Sequence, residues 1–341
     1  TNTQEATTVN AIKAWKNADG SETAPAGATV VYTLYADGTA TSYTVTLDGT
    51  AEETVPTTTA GYESEAWKAT FVNLPKYKTG TTTEIVYTIA ETTTYPGYTA
   101  SPTTPVASGG TITNTQEATT VNAIKAWKNA DGSTTAPESA TVVFTLYADS
   151  EATKYTVTLD GTVDETVPEV TGGYESEAWK AEFVHLPKYQ NDGETEIVYT
   201  IAETVTYPGY TPDFEGQVAS GETITNKQDE VEAFALKAWS NADGSETAPA
   251  GATVVYTLYA DGGLTEYTVT LTGTAGTAPE VTGGYESEAW KAMFIHLPKY
   301  QTDGETLIVY TIAETMTYPG YTASPTTPVA SGETITNTQN R

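Results

Sequence analysis

The sequence predicts an all-β chain: three tandem antiparallel β-sandwich domains in a linear rod. Three observations carry this prediction. A domain-length segment recurs three times, β-branched and aromatic residues dominate each copy, and turn signals interrupt them at short intervals. Lys13, Lys125 and Lys237 are spaced by 112 residues (125 − 13 and 237 − 125). Asn114, Asn226 and Asn337 are spaced by 112 and then 111 (226 − 114 and 337 − 226), so the third copy is one residue shorter. Solenoid units run to only ~20–45 residues, whereas a unit this long can enclose its own core. The expected domains are residues 1–115, 116–227 and 228–341.

Within the first repeat the strand-like runs are Val9–Trp15, Thr29–Tyr35, Ser42–Leu47, Ala66–Val72, Glu84–Glu91 and Thr111–Thr115. They are rich in Thr, Val and Tyr, which suit a pleated, half-buried surface. Asp19-Gly20, Asp37-Gly38, Asp48-Gly49 and Pro96-Gly97 punctuate them, the pattern of short strands in a sandwich. The connection Thr115-Gln116-Glu117 is too short for a flexible tether. Successive domains are therefore expected in a semi-rigid line on the order of 100 Å long, from a radius of gyration of ~13 Å per unit. The opening Thr1-Asn2-Thr3-Gln4 duplicates the seam Thr113-Asn114-Thr115-Gln116, and Thr336-Asn337-Thr338-Gln339 stops at the same point. Residues 1–3 are thus expected to be the tail of a preceding repeat, and the sequence three whole repeats of a longer array.

Composition removes several classes of function. A formal charge of −29 repels phosphate backbones and anionic headgroups, so neither nucleic acid nor a membrane surface is an expected partner. Cysteine is absent, which excludes disulfides, thiolate metal sites and thiol catalysis. No apolar run approaches the ~20 residues of a membrane-spanning helix, so no membrane insertion is expected.

Side chains at i, i+2 and i+4 of a strand share a face. Val9, Ala11, Lys13 and Trp15 then form one apolar row containing a lysine. By the same counting Glu91 shares a face with Ile85, Tyr87 and Ile89, and Asn114 with Ile112. The third repeat keeps the row Val231, Ala233, Ala235, Lys237 and Trp239, although Phe234 and Leu236 make its opposite face apolar too. A lysine and a carboxylate deprived of water both favour their neutral forms. A neutral amine facing an asparagine amide can attack its carbon and expel ammonia, with a protonated glutamic acid polarising the amide and moving protons. Such a reaction runs once, needs no cofactor or metal, and draws its acceleration from fixed proximity.

Seven segments in order extend the pattern across the repeat. They are Ile12-Lys13-Ala14-Trp15, Leu34-Tyr35-Ala36-Asp37-Gly38, Trp67-Lys68-Ala69-Thr70-Phe71, Leu74-Pro75-Lys76-Tyr77, Tyr87-Thr88-Ile89-Ala90-Glu91, Pro96-Gly97-Tyr98 and Ile112-Thr113-Asn114. With this order and spacing each unit resembles the Cna-B domain, the B-type repeat of the collagen adhesin and of Gram-positive surface proteins and pilins. The segment from Tyr87 to Tyr98 is similar to the E-box of pilin subunits. The resemblance implies an inverse immunoglobulin-like sandwich in which a first-strand lysine joins a last-strand asparagine through an isopeptide bond. It implies crosslinks Lys13–Asn114, Lys125–Asn226 and Lys237–Asn337, with Glu91, Glu203 and Glu314 as the catalytic acids. It also implies a stalk of a cell-wall-anchored adhesin or fibre on the bacterial surface. No turnover enzyme is expected, and a monomer is. Its partners would be its own neighbouring repeats and a host ligand held by a region outside this sequence. The segment Gly49–Glu65 departs from the family in length and threonine content, and no sorting motif is present.

Other readings compete at several positions. Lys68 and Lys76 also recur, but Lys68 falls opposite Trp67, Ala69 and Phe71 and is expected in solvent. Glu63 and Glu65 recur and could replace Glu91 as the acid, although Gly61-Tyr62-Glu63-Ser64-Glu65 reads as a loop leading into a strand. Asn17-Ala18-Asp19-Gly20 lacks the further ligands of a calcium loop and reads as a tight turn. Leu74-Pro75-Lys76 is similar to pilin motifs whose lysine joins subunits, but its presence in every repeat favours a structural loop. His185 and His296 align with Asn73, so no histidine chemistry is common to the repeats, and both read as lone surface imidazoles. Trp15 and Trp67 alternate with apolar neighbours and are expected in the core rather than in a sugar platform. A ligand-binding adhesive module with a tyrosine-rich face is the alternative function, separable by a binding screen on matrix proteins and glycans.

Overall fold

The computed structural model describes residues 4–341; the expected preceding-repeat tail at residues 1–3 lies outside them. In the first repeat the strands are β1 (Ala6–Lys16), β2 (Val30–Ala36), β3 (Thr39–Leu47), β4 (Ala60–Glu65), β5 (Lys68–Pro75), β6 (Tyr87–Thr93), β7 (Tyr98–Ser101), β8 (Val106–Ala107) and β9 (Gly110–Gln116). No helix occurs among the described residues. A five-stranded sheet of order β4-β5-β1-β9-β7 packs on a four-stranded sheet of order β3-β2-β6-β8. The other two repeats rebuild the same pair of sheets, except that in the second a single bridge, Ile201 to Val218, replaces the short β8 pairing.

Alternation places the core. β1 buries Val9, Ala11, Lys13 and Trp15 and turns Ile12 outward, as the period of two requires. The facing sheet supplies Tyr32, Leu34, Leu47 and Ile89, and Phe71 and Leu74 of β5 complete a core repeated in each domain. In the third repeat Phe234 is half-buried and Leu236 exposed, so Lys237 keeps the inward row despite the apolar outer face.

Three local expectations need correction. Glu63 lies in β4 and not in a loop, and it is 1% exposed. Residues 66–67 form a turn, so β5 begins only at Lys68, whereas the run expected from Glu84 is held by an isolated bridge to Tyr77 before β6 starts. His296 is not a lone imidazole: its Nδ1 lies 2.7 Å from Glu230 Oε2, whereas His185 is exposed.

The seams are as tight as their length suggests. Glu117 donates its backbone N–H to Gly97 of the first repeat at 2.9 Å and accepts the Lys188 N–H of the second at 2.9 Å. Asp229 does the same between Gly209 (2.9 Å) and Lys299 (2.8 Å). One residue thus joins each pair of domains by its own backbone.

Candidate functional site

The chain ends of each domain lie side by side. β1 pairs with β9 in parallel, with Lys13 opposite Ile112 and Trp15 opposite Asn114. Lys13 and Asn114 therefore stand on the same inner face of neighbouring strands, although 101 residues of sequence separate them (114 − 13). Glu91 reaches them from β6 in the opposite layer. Its Oε2 lies 2.9 Å from Lys13 Nζ, and its Oε1 accepts a hydrogen bond from Asn114 Nδ2 at 2.8 Å. The carboxylate bridges amine and amide.

The arrangement recurs in both other repeats. Lys125 Nζ is 3.1 Å from Glu203 Oε2 and Asn226 donates to Glu203 Oε1 at 2.7 Å; for Lys237, Glu314 and Asn337 the distances are 2.7 and 2.8 Å. All three lysine side chains are fully buried, and the three glutamates are at most 2% exposed. Each amine also donates to a β9-type carbonyl, Ile112 at 3.2 Å, Ile224 at 3.0 Å or Ile335 at 3.1 Å, and sits about 5 Å from the ring of Trp15, Trp127 or Trp239. The carbonyl oxygen of each asparagine side chain is buried without a hydrogen-bond partner.

Burial decides the electrostatics. Desolvation lowers the pKa of Lys13, Lys125 and Lys237, and hydrogen bonding and attraction from Glu91, Glu203 and Glu314 only partly oppose it; for Lys125 the result is about 8. Tyr32 and Tyr256, deep beside Glu91 and Glu314, are pushed upward and stay neutral. A buried ion pair of this kind is a poor source of stability, because removing both charges from water offsets most of their attraction.

A second buried carboxylate supports the first site. Glu63 accepts the N–H groups of Asp48 (2.9 Å), Gly49 (3.1 Å) and Trp67 (2.6 Å). Trp67 adopts a left-handed φ of 64°, and its carbonyl accepts the Lys13 N–H at 2.8 Å. Its ring meets Trp15 edge-on at 5.1 Å. Glu175 and Glu286 repeat the clamp on Trp179 and Trp290. Glu63 is therefore occupied in holding backbone, and Glu65 is paired with the half-exposed Lys68 at 2.9 Å. Only the recurrence of Glu63 signalled it in the sequence; its role depends on which backbone groups surround it.

The remaining candidates stay outside this chemistry. Asn17-Ala18-Asp19-Gly20 closes a turn through the Gly20 N–H to the Asn17 carbonyl at 3.0 Å, with Asp19 accepting from Ser21. Lys76 is partly exposed beside Glu5 at 3.1 Å. Among the described residues no group of three or more His, Asp and Glu could hold a metal ion.

The Cna protein B-type domain family matches this sequence over residues 9–115, 121–227 and 235–338. The chain belongs to the Cna-B family. Among solved structures, these Cna-B repeats are similar to two B repeat units of the collagen-binding protein of Staphylococcus aureus, at 26% identity over 98% of this chain and 75% of that one, with a TM-score of 0.35. A single B repeat unit of the same protein matches at 26% identity over 66% of this chain and 100% of that one, with a TM-score of 0.24. A streptococcal ancillary pilin matches at 10% identity over 98% and 99%, with a TM-score of 0.29. No curated protein matches. The Cna-B assignment rests on the family match, which takes in all three trios.

Proposed function

We propose that each Cna-B domain closes itself with one intramolecular isopeptide bond: Lys13 to Asn114, Lys125 to Asn226 and Lys237 to Asn337. Glu91, Glu203 and Glu314 are the acid–base catalysts. The observation that carries the reading is a carboxylate held between a desolvated amine and a buried amide, in the same geometry three times. The lysine ammonium first gives a proton to the carboxylate, which burial favours because it removes both charges. The free amine then adds to the asparagine Cγ. As the amide turns its unpartnered oxygen toward the new carboxylic acid, the O–H stabilises the developing oxyanion. Glutamate then takes the proton shed by the lysine nitrogen and delivers one to the departing amide nitrogen. Ammonia leaves, one C–N bond has replaced another, and the glutamic acid is left holding the one remaining proton, so hydrogens and charge balance.

The bond would join the first and last strands of a domain. Tension entering at one end of the domain would then leave at the other without loading the rest of the sandwich. Treated by analogy with a disulfide closing a ~100-residue loop, it stabilises by about 4–5 kcal/mol through the unfolded chain alone. We accordingly assign the chain, with domains at residues 1–115, 116–227 and 228–341, to the stalk of an extracellular, cell-wall-anchored adhesin or fibre. It is a monomer whose partners are its own repeats, with host contact made elsewhere in the parent protein. The crosslink is a single-turnover event and not enzymatic turnover.

Intact mass tests the proposal. The purified protein is expected to be lighter than its sequence by three ammonia masses, and a full sequence mass would refute the crosslinks.

A further inference from the structure

The two seams contain the same contact between domains, beyond the linking residue. The Thr171 N–H donates to the Ala18 carbonyl at 2.9 Å, and the Thr282 N–H to the Ala130 carbonyl at 3.0 Å. Beside each bond a valine methyl rests on a glycine. A Cβ on Gly20 would lie 2.6 Å from Val170 Cγ1, and one on Gly132 would lie 2.5 Å from Val281 Cγ1. Across the seam, a Cβ on Gly193 would fall 2.3 Å from the carbonyl carbon of Pro96, and one on Gly304 would fall 2.3 Å from the Pro208 oxygen. The linker holds the receiving loop from behind, with Gln116 accepting the Ala18 N–H and Gln228 the Ala130 N–H, both at 3.0 Å.

The trailing half of this joint is present in all three repeats, as Ala18, Gly20 and Pro96, then Ala130, Gly132 and Pro208, then Ala242, Gly244 and Pro319. In the third repeat it is built in the same way, because Gln339 accepts the Ala242 N–H at 2.9 Å. Ala242 is exposed where Ala130 is 3% exposed, and among the described residues nothing lies within 4 Å of a Cβ placed on Gly244 or Gly320. The leading half differs between repeats. Thr58 stands in the first repeat where Val170 and Val281 stand in the others, and Thr81 stands at the position of Gly193 and Gly304. In the first repeat the left-handed position of this loop falls on Gly80 (φ 71°) and not on Thr81, so its leading face differs in backbone as well as in side chains from the loops that place Gly193 (φ 70°) and Gly304 (φ 69°) against proline.

We infer that the face around Ala242, Gly244 and Pro319 is a socket for the leading face of one more repeat of the valine–glycine type, and that repeats of the Thr58–Thr81 type do not fit it. Joining is thus directional. A valine methyl, a free threonine N–H and a side-chain-free glycine make up the leading face that a follower must present. The socket offers a carbonyl, a glycine notch and a proline backbone in return. The inference does not depend on the crosslinks, whose residues lie inside the domains.

The cysteine-free chain allows spin labels to be placed in pairs on exposed residues across any seam. In one extended chain a copy of residues 229–341 follows Gln339; in a second, a copy of residues 5–116 follows it. The first is expected to give a single narrow distance peak across the new seam, like that between the second and third repeats, and the second to lose it. Introducing Thr58→Val, Gly80→Asp and Thr81→Gly into the appended copy of 5–116, which reproduces the Asp192-Gly193 loop, is expected to restore the narrow peak. In the unextended chain, Val281→Thr with Gly304→Thr is expected to lose the peak at the second seam and leave the first unchanged. Equal widths for the two extensions, or an unchanged second seam in the double variant, would overturn the inference, as would docking of second copies through the first repeat.

Discussion

Glu63 accepts the Trp67 backbone N–H at 2.6 Å, and the Trp67 carbonyl in turn accepts the Lys13 N–H at 2.8 Å. One buried carboxylate thus orders the segment against which the reactive lysine is registered. Removing it strands three backbone N–H groups. In an Asn114→Ala background, which cannot crosslink, Glu63→Ala is expected to lower the stability of the first repeat by roughly 3 kcal/mol, since each group loses a charge-assisted partner. Urea unfolding measures this, and a loss below about 1 kcal/mol would contradict the clamp.

The acid is tested one domain at a time. Glu203→Ala is expected to restore one ammonia mass, after allowance for the substitution, and to make only the middle repeat sensitive to protease. A variant still lacking three ammonia masses would remove Glu203 from the mechanism.

Lys125 supplies a pH signature. Its pKa is lowered to about 8 in the folded domain from 10.5, so between those values the unfolded chain binds more protons than the folded one. Stability must then rise with pH in that window, and below about pH 8 the full cost of burying the charge remains. An Asn226→Ala chain, which keeps a free lysine, is expected to gain stability from pH 8 to 10 relative to a crosslinked chain, whose amide does not titrate. Thermal unfolding across that range checks the difference, and parallel curves would refute it.

Tyr32 lies next to Glu91 and donates to the Ile12 carbonyl at 3.4 Å, but Phe144 occupies the same place in the second repeat beside an intact trio. Tyr32→Phe is therefore expected to retain the three-ammonia deficit and to cost no more than about 1 kcal/mol. Loss of one crosslink on intact-mass measurement would give the hydroxyl a role in the chemistry.

Much of this is legible in the sequence. Alternation along Val9–Trp15 puts Lys13 on the buried row, and the same count turns Asn114 inward, because a strand reverses its facing at every residue. β4, β7 and β8 leave no such pattern. The first looks like a loop because Gly61 and two glutamates interrupt it, and the others are too short to show a period. The choice among acids was equally closed to counting, since Glu63 and the Glu91 side chain are both about 1% exposed.

By itself the sequence determined the three domains, their β class and the inward direction of each lysine and asparagine, all of which follow from composition, repetition and the two-residue period of a strand. The tertiary structure decided which inward groups meet. The parallel pairing of β1 with β9 brings Lys13 beside Asn114, and the packing of one sheet on the other aims Glu91, and not Glu63, at both. Alternation specifies a face but not its neighbours. Those depend on contacts between segments far apart in the chain, which are fixed only when both layers close over a common core.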